Sequence, residues 1–361
     1  MTRVGAISPE SLRSSRPKWA GLDWVLHGLA RLSGLVILLM LASVVVVLFT
    51  SSIPSIREFG WHFLVNTKWQ PNELEQPRLD ASGNPVLDED KQQVMDTIPP
   101  SFGAASVIFG TATTSAVSLI LAVPLSLGAA VFLVRIASRR LAVGVSFLIE
   151  FLAAIPSIAY GIWGLFILVP FLRGYVEPWM VTIGMHTAGF HWLVQQTVDG
   201  NVVTLAPAGR DLLCGSVVLA IMIIPIITAV SRDILKQVPP AQLEGTVALG
   251  ATWWQSSREM LGFARSGLFG AIMLGLARAA GETMAVTMVI GNNAQVVLSP
   301  LAPAQTMSSL LATDFADASG DMQRAALCEV ALILLVMSLV FNMAARWLVV
   351  GKSTGRAGAA F

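Results

Sequence analysis

The sequence predicts an all-α polytopic membrane protein with six transmembrane helices and both termini cytoplasmic. Three observations predict it. Only 12% of the 361 residues are charged and 55% are hydrophobic, about half the charged share usual in soluble domains. Apolar stretches long enough to cross ~30 Å of hydrocarbon recur along the chain. Lys and Arg gather in alternate connections, the pattern of short loops kept on the cytoplasmic side.

The first span lies between Arg31 and Arg57, the second between Asp96 and Arg135, and the fourth between Asp211 and Arg232, each without an internal charge. The third, residues 141–172, is interrupted only by Glu150, and the fifth, residues 266–291, only by Arg278 and Glu282. The sixth runs from about Ala325 to Val350. Pro124 and Pro156 fall inside spans two and three, where they should kink the helices.

Positive charge sets the expected orientation. Arg3, Arg13, Arg16 and Lys18 place the N-terminal tail, residues 1–24, inside, and Arg135, Arg139 and Arg140 do the same for the connection after span two. The helices at 239–265 and the C-terminal tail, residues 351–361, belong on that side as well, leaving residues 25–350 as the transmembrane domain. Acidic residues, among them Asp88, Glu89 and Asp90, outnumber basic ones in the loop 51–102, which is expected outside. Its segment from about Asn72 to Pro99 is polar and punctuated by proline. Trp19 and Trp24 suit an interfacial helix, and the first apolar run has no small-residue cleavage site after it, so it reads as an anchor. Cys214 and Cys328 allow one bridge at most and read as small packing residues.

Between Pro239 and Gly262 the chain turns semi-polar: PPAQLEGTVALGATWWQSSREMLG. The two prolines suit the first turn of a helix. Gly250 offers the left-handed conformation that ends one, Thr252 with Gln255 forms a capping box for a second, and Gly262 can end that. Two short helices displaying Trp253 and Trp254 make a knob for another protein's cleft; a plain amphipathic surface helix is the alternative.

Span five carries the most chemistry. At ~100° per residue, Gly267, Ala271, Gly275, Arg278, Glu282 and Ala285 share one stripe. Small residues four apart admit another helix, so the stripe faces protein. A charge inside the membrane costs roughly 2.5–3.5 kcal/mol and marks a substrate path. Arg278 offers a planar fork of donors matched to an oxyanion. Glu282 would tether it or accept a hydrogen bond from a protonated oxyanion such as phosphate. The alternative is a structural ion pair. Glu150, on a small, polar face with Ala154, Ser157 and Gly161, is a weaker pathway candidate with an equally good structural reading.

Other chemistry is not in evidence. Gly351-Lys352-Ser353-Thr354 mimics the end of a phosphate-binding loop, yet Arg346 stands where the first glycine belongs. Nothing reads as a catalytic nucleophile, a cofactor motif or a nucleic-acid surface, and His186 and His191 give only a poor metal spacing.

The segment with Glu244, Gly245, Thr246 and Gly250 resembles the cytoplasmic coupling segment of permease subunits of ATP-binding-cassette importers. It departs from that pattern at Gly245, usually Ala, and at Gly262, usually Pro. LGLARAAGETMAVTMVIGN (274–292) and FLIEFLAAIPSIAYGIWGLFILVPFL (147–172), with 109–133 and 316–334, are similar to the permeases of the high-affinity phosphate importer. The resemblance implies a type I importer permease (MetI-like) fold in the bacterial inner membrane. Its implied partners are a second homologous permease, a pair of ATPase subunits at Glu244, Gly250, Trp253 and Trp254, and an external phosphate-binding protein. It also implies phosphate passage at Arg278 and Glu282. A permease for sulfate or molybdate is the nearest alternative. An ion-coupled secondary transporter or channel is the alternative from another class, though no internal repeat is seen.

Overall fold

The computed structural model describes residues 20–77, 95–187, 189–198, 201–296 and 298–353. The described chain divides into two compact units, residues 1–50 and 51–361. Trp19 and the tail before it, the acidic run at Asp88, and Arg356 lie outside the described residues. In the first unit an uninterrupted helix, α1 (Ala20–Phe59), begins. From Trp24 to Thr50 its side chains are exposed almost throughout, as suits an anchor helix in lipid, whereas Ser52 and Ser55 are buried.

The second unit is helical apart from two small hairpins. After α1 come α2 (His62–Val65), the antiparallel pair β1 (Leu74–Pro77) and β2 (Met95–Ile98), α3 (Ala105–Arg135) and α4 (Arg139–Ala154). α1 continues through Pro54 to Phe59, so the connection expected from residue 51 starts nine residues later. Residues 78–94 lie outside the described residues.

The third span differs from expectation. It is Ser157–His186, not 141–172. Ile155 and Pro156 are both extended; the proline ring disfavours the helical region for the residue before it, and here the chain leaves the helix at that point. α4 thereby becomes a separate helix, and Pro156 separates two helices where it was expected to kink one. The span comprises α5 (Ser157–Trp163), α6 (Val169–Phe171) and α7 (Glu177–His186), joined by widened turns at Gly164–Leu168 and Leu172–Val176. In these turns Val169 N–H donates to Gly164 O and Glu177 N–H to Leu172 O, five residues back. Pro170 and Pro178 follow directly; a proline ring clashes with the carbonyl four residues earlier, and a wider turn moves that carbonyl aside.

A second hairpin, β3 (Gln195–Val198) with β4 (Asn201–Thr204), leads to α8 (Leu212–Lys236), the most enclosed span. Around it pack α3, α4, α10 (Trp253–Gly281) and α11 (Met284–Val289). The fifth and sixth spans are α10 and Asp321–Met343 within α13 (Asp321–Ser353). α12 (Met307–Asp314) lies between α11 and α13.

Three apolar clusters hold these elements. Ala122, Ile223, Ile227 and Ala279 join α3, α8 and α10. Leu235, Met260, Ala264 and Leu268 fill the end that carries the connection α8 to α10. Phe63, Phe102, Met307, Leu310 and Leu327 fill another, where Trp69 stacks edge-on against Phe102 and donates its Nε1–H to Asp314 at 2.9 Å. Cys214 and Cys328 are free thiols, consistent with packing roles.

Candidate functional site

The segment between α8 and α10 folds as its residues dictate. Pro239 and Pro240 open α9 (Pro240–Ala248). Gly250, at φ +83°, closes it: Gly250 N–H donates to Val247 O and Ala251 N–H to Thr246 O. This is the paired bond pattern of a left-handed helix stop. Thr252 and Gln255 form the reciprocal cap of α10, with Thr252 N–H to Gln255 Oε1 at 2.8 Å and Gln255 N–H to Thr252 Oγ1 at 3.3 Å. Gly262 does not end this helix, which runs unbroken to Gly281 and becomes the fifth span. One interior glycine costs about 1 kcal/mol, too little to interrupt a run of apolar side chains.

Glu244, Trp253 and Trp254 are exposed around this turn, as is Leu249 at 90%, a knob that sequence reasoning overlooked. The segment is anchored beneath: Arg135 Nη2 donates to Ser256 Oγ at 3.2 Å, and Thr246 Oγ1 lies 3.2 Å from the same oxygen. An open groove of about 940 Å³ lies along α9 and α10, bordered by Leu243, Thr246, Leu249, Arg258 and Arg265.

The charged stripe of span five is redrawn. Gly267, Ala271 and Gly275 do face a helix, α8: a Cβ on Gly275 would stand 2.6 Å from Ile227 Cδ1, and one on Gly267 2.8 Å from Ile234 Cγ2. The stripe stops there. α10 ends at Gly281, Glu282 is extended (φ −71°, ψ 125°), and α11 starts afresh at Met284. Glu282 is therefore not one helical turn beyond Arg278, and no ion pair joins the two among the described residues. Arg278 is exposed in the last turn of α10, where the carbonyl end of the helix favours a cation, and it acts electrostatically on Tyr160 of α5. Glu282 is 9% exposed, tucked into the break.

Neighbouring elements hold that break open. Ser308 Oγ, at the start of α12, donates to Ala280 O at 3.3 Å. Met307 N–H in turn donates to Thr111 Oγ1 of α3 at 2.9 Å. On the other side Gly161 lets α5 meet α11 closely, since a Cβ there would stand 3.0 Å from Ala285 Cα.

Glu150 is corrected as well. It sits on α4, outside the candidate spans, with its side chain 59% exposed, and accepts from Arg232 Nη2 at 3.1 Å. Arg232, expected to bound the fourth span, is buried in the last turns of α8 and also contacts Asp233 at 2.8 Å. The pair ties α4 to α8 next to the α9 turn, away from the α10–α11 break. Sequence reasoning also missed three buried carboxylates, Glu177, Asp211 and Glu329. They sit at or near the ends of long apolar runs, where a span boundary accounts for a charge without further signal.

A family model described as binding-protein-dependent transport system inner membrane component matches residues 122–351. The phosphate transport system permease protein PstC of Mesorhizobium japonicum is 35% identical over 354 residues, covering 97% of each chain. That of Pasteurella multocida is 37% identical over 329 residues, covering 90% of this chain and 92% of its own. A solved structure of the inward-facing MetNI methionine ABC transporter aligns with 68% of this chain and 93% of its own, at 18% identity and a TM-score of 0.49.

Proposed function

We propose that this chain, which belongs to the binding-protein-dependent transport system inner membrane components and among them to the PstC permeases, carries inorganic phosphate across the cytoplasmic membrane by alternating access. The observation that carries this reading is the similarity to PstC along 97% of the chain. As a permease subunit it supplies the path, while ATP is bound and hydrolysed by a partner ATPase pair. A second homologous permease and an external phosphate-binding protein complete the importer.

In this reading Arg278 meets the anion. Its exposure on the isolated chain is the open side of a path that the second permease closes. The guanidinium keeps its charge in a low-dielectric site and presents parallel donors to two phosphate oxygens. Glu282, set off the helix by the break, is an acceptor for a proton-bearing oxygen, which phosphate has at neutral pH and sulfate lacks. Glu150 takes no part in the path and instead braces α4 against α8 through Arg232.

The α9 turn is the ATPase contact. Leu249, Trp253 and Trp254 supply apolar area for burial in a cleft, and Arg135 and Ser256 transmit its displacement to α3. Orientation follows the positive-inside pattern, with both termini and the α9 turn cytoplasmic.

The test is reconstitution with the partner subunits and binding protein in vesicles. Phosphate should stimulate ATP hydrolysis and labelled phosphate should accumulate, whereas sulfate and molybdate should do neither. Accumulation of phosphate without ATP would refute the reading in favour of a secondary carrier or channel. Stimulation by sulfate or molybdate alone would move the substrate to another oxyanion.

A further inference from the structure

Glu177, at the start of α7, and Asp211, the N-cap of α8, are both 0% exposed, and their carboxyl groups are close enough to act on each other. Each carboxylate has one oxygen well served. Gly209 N–H donates to Glu177 Oε2 at 3.1 Å, and Cys214 N–H to Asp211 Oδ1 at 2.8 Å. The other two oxygens, Glu177 Oε1 and Asp211 Oδ2, are buried with no hydrogen-bond donor of good geometry. The N–H groups of Ala208 and Leu213 add only weaker support.

Two ionised carboxylates cannot lie together in a buried site without a cation or a proton between them. The surroundings supply little positive charge. Arg173 of the third span acts on Glu177 but is exposed, and Arg210 beside Asp211 is exposed too. Cys214 of α8 presents a neutral thiol, and the connection 290–306, which accepts Leu212 N–H and Leu213 N–H through Ala302 O and Pro300 O, contains no ionisable side chain.

We propose that Glu177 and Asp211 share one proton, Oε1 to Oδ2, and that this shared proton latches the third span to the start of the fourth. The loop backbone is shaped for it. Gly209 has φ +75°, and a Cβ there would stand 2.7 Å from Val169 O, so only glycine lets the loop press against the third span and offer its N–H to Glu177. Burial, with the neighbouring Glu177 carboxylate adding to it and the Cys214 N–H opposing it, pushes Asp211 up to about 7. The sign follows from linkage. A carboxyl raised above its unfolded value of ~3.9 leaves stability intact below that pH and loses it as pH rises towards about 7. The latch contributes most in acidic surroundings and its contribution is spent by about pH 7, whichever anion is carried.

Infrared spectra of the assembled complex in lipid test this directly. At mildly acidic pH the wild type should show a protonated-carboxyl C=O band that Glu177→Gln and Asp211→Asn each remove. Thermal denaturation of the same complex should show the wild-type midpoint falling as pH rises from ~4 towards about 7 and levelling off above it. Asp211→Asn replaces the shared proton by a permanent amide N–H and keeps the cap on Cys214, so its midpoint should stay level over that window. Absence of the band, or an unaltered pH profile in Asp211→Asn, would overturn the proposal. So would a midpoint set by sodium or potassium concentration at fixed pH, which would put a metal cation in the proton's place.

Discussion

Gly110 of α3 is where the seat of α12 is most exposed to a one-methyl change. A Cβ added there would stand 2.1 Å from Gln305 O and 3.0 Å from Gln305 C, both backbone. Cβ contacts below 3.0 Å essentially do not occur, so Gly110→Ala must push residue 305 away by at least about 0.9 Å. Met307 follows two residues later, and its N–H bond to Thr111 Oγ1, now 2.9 Å, would stretch beyond bonding distance. Overpacking costs about 1–3 kcal/mol and a buried donor left unpaired about 1–3 kcal/mol. A total of roughly 2–6 kcal/mol exceeds tenfold in the population of the seated state. Since α12 holds Ala280 O through Ser308, the break that carries Glu282 should loosen with it. The measurements are the thermal inactivation midpoint of the purified complex and phosphate uptake per assembled complex. Gly128→Ala, in the same helix with nothing within 4 Å of its Cβ, is the control and should be neutral or slightly stabilising. If Gly110→Ala behaves like Gly128→Ala, the close approach of α3 and α12 is wrong.

Gly250→Val puts a β-branched residue at φ +83° and should cost about 1–2 kcal/mol in the α9 turn; phosphate-stimulated ATP hydrolysis should fall while membrane insertion persists, as immunoblots of membranes would record. Replacing Trp253 and Trp254 together by Ala should weaken retention of the ATPase on purification and leave the preference for phosphate over sulfate unchanged. Arg278→Lys should keep part of the uptake and Arg278→Gln almost none. Because no bond joins Arg278 to Glu282, the double change to Gln should not restore transport lost in either single variant. Glu150→Gln should retain uptake to within about twofold, because Arg232 keeps Asp233 as a partner; loss comparable to Arg278→Gln would return Glu150 to the path.

The cap chemistry of the α9 turn was legible because it is local: two prolines, one left-handed glycine and a Thr/Gln pair act within a few residues of themselves. Span number was legible for a related reason, since hydrocarbon thickness acts on each helix separately. Span phase was not. Assigning 141–172 to the membrane took Pro156 as a kink within one helix, whereas the chain is extended at Ile155 and Pro156 and splits there into α4 and a new helix. The Arg278–Glu282 stripe failed similarly, because α10 was extended past Gly281 on periodicity alone. What breaks it is non-local, with Ser308 taking the Ala280 carbonyl from 28 residues away. Arg232 and Glu150 became partners only through the packing of α4 on α8, a contact 82 residues apart that no pattern in either segment announces.

The widened turns of the third span bear on how its length can vary. In a regular helix, deleting one residue rotates everything after it by ~100° and would swing Glu177 out of its buried position. A turn closed by a bond to the fifth residue back already holds one residue more than the regular ladder requires. Deleting a residue within Gly164–Leu168 or Leu172–Val176 turns that loop of the helix into an ordinary one, and the faces beyond keep their bearing. Related chains can therefore differ by a residue at either turn and still bring the later part of this span to the same neighbours.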